Sequence, residues 1–170
     1  GKKSFKKCQY LAMFLGSTDG RETRGKLFDL HKNRSDFLIG TVYGQQYINA
    51  FYASKFCLVV RGRTVWTRRF TEIFQYNCIP VIISDGYLPP FSNVFDWSSF
   101  SLRVHESDIF KLPQILNNVS EEKWNKMQSQ LGIVKNHFLY NDPPKIGDAF
   151  YILLYEVWLK VRKFRRQRGA

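Results

Sequence analysis

Phe56-Cys57-Leu58-Val59-Val60, then Arg61-Gly62-Arg63-Thr64-Val65-Trp66-Thr67, then Arg68-Arg69-Phe70-Thr71-Glu72-Ile73, sets three kinds of segment in a row. The first five residues are continuously apolar, the pattern of a strand buried on both faces of a parallel sheet. The next seven are polar or turn-forming and read as a loop. Residues 68–76 place apolar side chains at helical spacing. Ile79-Pro80-Val81-Ile82-Ile83 returns to a strand, with Pro80 early in it, where a missing N–H is tolerated. A strand, a helix and a second buried strand within roughly thirty residues make up a βαβ unit.

The same alternation extends towards the N-terminus. Residues 10–15 are an apolar strand ending at Gly16, and residues 16–20 form a turn-rich loop. A helix over 23–33, a strand over 37–43 closed by Gly44, and a helix over 45–54 follow. Beyond the deciding unit, residues 88–97 read as a loop that packs its own aromatics, and 100–104 as a fifth strand. A helix over 108–119 contains Pro113, expected to end or kink it. Ser120 caps a helix reaching Leu139, with Glu121 and Glu122 in its first turn. A break at 141–144 precedes a final amphipathic helix over 148–165. Repeated strand–helix alternation predicts an α/β fold with a mostly parallel sheet. The loops after the strands, at 16–20, 44, 61–67 and 84–86, then meet at the carboxyl edge, where such sheets bind ligands.

The 170 residues carry a net charge of +12, and where that charge lies matters more than its size. Four lysines lie among residues 1–9 and six Lys or Arg among 160–170, with no acid in either stretch. The body, 10–159, is close to neutral and reads as one domain between two basic tails. A nucleic-acid groove would spread its cations over a folded face with stacking aromatics, so no nucleic acid is expected as partner. The apolar run near residues 150–159 is broken by Glu156 and is too short to span a bilayer. The chain begins at Gly1 without a signal peptide and reads as a piece of a longer protein.

The loop 61–67 runs from a buried strand into a helix. A helix start exposes unpaired N–H groups, and Arg61, Arg68 and Arg69 there would suit a diphosphate. Glu72, one turn on, would accept hydrogen bonds from ribose hydroxyls, or else pair with Arg68 or Arg69 along the helix. On spacing alone both readings stand. Trp66 either stacks on a base or closes the loop, while Trp97, Trp124 and Trp158 are expected in the core. His31, His105 and His137 are scattered, and no Cys or His spacing marks a metal site. Cys57 and Cys78 belong to successive strands and are compatible with two buried thiols or with a disulfide. Asn33 and Asn118 head N-glycosylation tripeptides, which favour a secreted or luminal location.

Several ordered blocks resemble the exostosin family of glycosyltransferases. They are residues 54–62, Arg68-Arg69-Phe70-Thr71-Glu72-Ile73, Cys78 to Asp85, Leu88-Pro89-Pro90-Phe91 and Phe95-Asp96-Trp97. Weaker matches reach back to Phe14, Gly16, Arg21, Arg24 and Leu27, and forward to Glu106, Asp108, Met127 and Phe138. The resemblance implies a Rossmann-like lobe that binds a nucleotide sugar, generally a UDP-sugar, and faces an N-terminal lobe. It places Arg61, Arg68 and Arg69 at the donor phosphates, Glu72 at the ribose, and Gly16 and Ser17 towards the sugar or acceptor. It further implies inversion without a metal or other cofactor, a general base on the N-terminal lobe, and a fragment inactive by itself. The implied partners are a glycan acceptor and a second glycosyltransferase subunit. The implied setting is the Golgi or endoplasmic reticulum lumen, with a membrane anchor outside this chain. A reading of another class remains beside it: a non-catalytic sugar-nucleotide or glycan-binding module.

Overall fold

The computed structural model describes residues 4–18, 22–62 and 69–167. Five strands, β1 (Tyr10–Leu15), β2 (Phe37–Gly40), β3 (Ser54–Val60), β4 (Ile79–Ile83) and β5 (Leu102–Arg103), form one sheet in the order β2-β1-β3-β4-β5. Every pairing is parallel. Helices α1 (Glu22–His31), α2 (Gly44–Ala53) and α3 (Arg69–Gln75) make the crossovers. The architecture is the α/β, Rossmann-like sheet flanked by helices that the alternation and the resemblance together lead one to expect. From β1 the chain winds outwards to β2, then crosses back to β3 on the other side and winds away through β4 and β5. The reversal between β1 and β3 is a topological switch point, where the connecting loops part and leave a crevice.

Burial follows from the sequence pattern. All of β4 is buried, and Phe56, Cys57 and Leu58 of β3 are completely so. A disulfide joins Cys57 to Cys78, bracing β3 against the residue just before β4; the alternative of two buried thiols falls away. The 88–97 loop does bury Phe91 and Trp97, and Tyr87 just before it is buried with them. Their cluster is completed by Phe74 and Phe138, whose rings stack at 3.9 Å.

Several expectations are corrected. The fifth strand shrinks to Leu102–Arg103, because β4 pairs with it only through Val81 and Ile82. Pro113 does not interrupt a helix over 108–119. A 3-10 segment, Glu106–Lys111, precedes α4 (Leu112–Asn117), and Pro113 sits in the first turn of α4, where a residue without N–H loses nothing. Ser120 does cap the next helix, α5 (Glu121–Val134), its Oγ accepting from the Lys123 N–H at 3.2 Å. The helix then tightens into a 3-10 turn, Lys135–Phe138, that delivers Phe138 to the aromatic cluster. Trp97 and Trp124 are buried, but Trp158 is 47% exposed on α6 (Ala149–Gln167). α6 continues through the basic residues to Gln167. Near the other end, Phe5 packs edge-on against Trp124 at 5.7 Å, with the Lys55 ammonium over its ring.

Candidate functional site

Two loops bound the crevice, one leaving β1 and one leaving β3. Arg24, from the first turn of α1, ties them together. Its guanidinium donates to the carbonyls of Ser17 (3.3 Å), Arg61 (3.2 Å) and Val60 (3.4 Å). Gly62 lies directly against it: a Cβ there would fall 2.6 Å from Arg24 Nη2. The Phe14 ring lies between two arginines, with Arg69 Cζ 4.5 Å and Arg24 Cζ 5.4 Å from its centroid.

Arg69 opens α3 and turns back across the end of β1, where Nη2 donates to the Leu15 carbonyl. Gly16 leaves room for it, since a Cβ would come within 2.9 Å of that nitrogen. Burial pulls the Arg69 guanidinium below its ordinary value, with Tyr47 opposing and Arg24 adding to the effect. Arg61, half exposed, directs Nη1 towards Glu106 Oε1 at 3.9 Å. Glu106 also accepts from the Thr23 hydroxyl at 2.5 Å and the Asp85 N–H at 2.9 Å. Burial would raise the Glu106 carboxyl, but Thr23, Asp85 and Arg61 together bring it below its ordinary value. Asp85 returns the bond by accepting from the Glu106 N–H at 3.2 Å, a reciprocal tie between the end of β4 and a segment 21 residues on.

Glu72 faces the other side of Gly16. Among the described residues its hydrogen-bond donor comes from another helix: the Tyr47 hydroxyl, from α2, donates to Glu72 Oε2 at 2.6 Å. Burial, followed by that bond, pushes the Tyr47 phenol up to about 12. Glu72 and Tyr47 line a pocket of about 370 Å³ with Gly16, Thr41, Tyr43 and Gly44. Gly44 starts α2 at φ 58°, a conformation that suits glycine, and Tyr43 before it is 81% exposed.

Gly16, Ser17, Arg61, Arg69 and Glu72 thus gather at one edge of the sheet, around the switch point. Arg68 and Trp66 lie outside the described residues. Asn33 and Asn118 are both exposed. Among the described residues no group of three or more His, Cys, Asp or Glu is arranged to hold a metal ion, and no helix is long and apolar enough to cross a membrane. Two participants escaped the sequence reading. Arg24 was only a matched position, with no role attached. Tyr47 gave no signal at all, because its contact with Glu72 spans 25 residues.

Comparison with known proteins identifies relatives over most of the chain. The chain is 33% identical over 152 residues to a probable glycosyltransferase of Arabidopsis thaliana, covering 88% of this chain and 32% of that protein. It is 36% identical over 126 residues to a probable glucuronoxylan glucuronosyltransferase of the same plant, covering 72% of this chain and 27% of that protein. A probable glucuronosyltransferase of Oryza sativa subsp. japonica is 31% identical over 138 residues, covering 80% and 33%. The chain spans about a third of the length of these relatives. The Exostosin GT47 domain matches residues 2–119, and the chain belongs to the exostosin GT47 family of glycosyltransferases.

Proposed function

We propose that the crevice between β1 and β3 binds the nucleotide of a UDP-sugar, and that the chain is the donor-binding lobe of an inverting transferase acting on a glycan acceptor. The observation that carries this reading is Glu72, held at the rim of a nucleoside-sized pocket beside Gly16 and Gly44. A carboxylate is an acceptor-only group, suited to a ribose diol and repelled by phosphate. The diphosphate therefore belongs along the edge, towards Arg61 and the stretch that carries Arg68 and Arg69. Cations there would stabilise the charge that develops on departing UDP, without a metal. The general base would come from an N-terminal lobe. The names of the relatives make UDP-glucuronate the first donor to try. The disulfide and the two exposed sequons support a secretory-pathway location, with Golgi placement and an anchor elsewhere in the protein.

Calorimetric titration of this chain tests the reading. UDP is expected to bind, ADP to bind much more weakly, and Glu72→Ala to lose about tenfold or more in UDP affinity, as one charged hydrogen-bonding group is removed. Equal binding of UDP and ADP, or full affinity in the Glu72→Ala variant, would overturn it.

A further inference from the structure

We propose that Tyr47 is a positioning residue: it fixes the Glu72 carboxylate so that the pocket reads the hydroxyls of the nucleotide's ribose. The inference rests on the donor-site reading above and deepens it. Tyr47 lies on α2 just after Gly44, and its ring stands edge-on to Phe51 at 5.3 Å. Phe51 is completely buried and packs in turn on Tyr76 at 4.8 Å. The core therefore sets where the phenol sits, and the phenol sets where Glu72 points, through the 2.6 Å bond to Oε2. Glu72 Oε1 takes no hydrogen bond from the described residues, and the pocket that both side chains line is the space beside them. With its phenol pushed up to about 12, Tyr47 keeps its proton, and stays a donor, across physiological pH.

A glutamate in the first turn of a helix is otherwise free among several rotamers. Held by Tyr47, it presents one oxygen in a fixed direction, as a diol requires. The role is specific to the hydroxyls, so it separates from mere support of the fold. Tyr47→Phe keeps the ring and its contact with Phe51 but removes the donor.

The test measures affinities of wild type, Tyr47→Phe, Glu72→Ala and the double variant for UDP and for 2′,3′-dideoxy-UDP, with the melting temperature recorded for each. Wild type is expected to prefer UDP. Tyr47→Phe is expected to weaken UDP about five- to tenfold, the scale of one hydrogen bond to a charged group, and to leave dideoxy-UDP unchanged. In the Glu72→Ala background the same change should have no further effect on UDP. Unchanged UDP affinity in Tyr47→Phe would overturn the role, as would an equal loss for both nucleotides, which marks a structural residue. Failure of wild type to bind UDP at all would instead overturn the donor-site reading, and this inference with it.

Discussion

Arg24 shows how one side chain can hold two loops in register. Its guanidinium reaches carbonyls on both sides of the switch point, which a planar fork of donors can do and an ammonium cannot. Arg24→Lys keeps the charge and loses the fork. It is expected to destabilise the fold by about 1–2 kcal/mol, the scale of one or two such bonds, and to weaken UDP binding as the loops drift apart. Denaturant unfolding and UDP titration of the same variant measure the two effects; wild-type values in both would show that the loops need no tie. At this scale the sequence was legible unevenly. Glu72, Arg61 and Gly16 stood out by type and place. Tyr47 did not, since its role depends on a side-chain contact from α2 to α3 across 25 residues, which no local pattern carries. Arg69 was legible as a cation at the site, but not as one turned back against the Leu15 carbonyl.

Among elements, β3 and the residue just before β4 share a covalent brace. The Cys57–Cys78 bond closes a separation of 21 residues, so in the chain-entropy view its loss costs about 3 kcal/mol. A Cys57→Ala/Cys78→Ala pair, or reduction, is expected to lower unfolding free energy on that scale, and an unchanged value would contradict it. A second link joins α1 to the 3-10 segment: His31 Nε2 lies 2.8 Å from the Ile109 carbonyl and the ring stacks on Phe37 at 5.1 Å. Burial lowers the His31 value from 6.5, so the folded state resists its protonation. The stability it contributes is present above the ordinary histidine range and is lost as pH falls through that range towards the depressed value. Melting temperature is thus expected to fall from pH 7 towards pH 5, and to fall less in His31→Gln; parallel profiles would count against it. The strands and long helices were readable because apolar runs and periodicity are local. The 3-10 segment ahead of α4 and the brevity of β5 were not, because tertiary packing decides them.

On the scale of the whole molecule, the sheet order turns scattered residues into one site. The loops after β1 and β3 are far apart in sequence and meet only because β1 and β3 are neighbours. Alternation alone foretold a parallel sheet, but not which pair of loops would share the crevice. Charge foretold less: the basic stretch from residue 160 belongs to α6, where it accompanies Leu154, Val157 and Trp158, each about half exposed. The central claim, that the nucleotide lies at the switch point, is open to one direct measurement: amide ¹H–¹⁵N spectra of the chain during UDP titration. Shifts are expected at Gly16, Ser17, Gly44 and Gly62 and across the first turn of α3. Saturable shifts confined to other parts of the molecule, such as α5 or α6, would place the nucleotide elsewhere and contradict the claim.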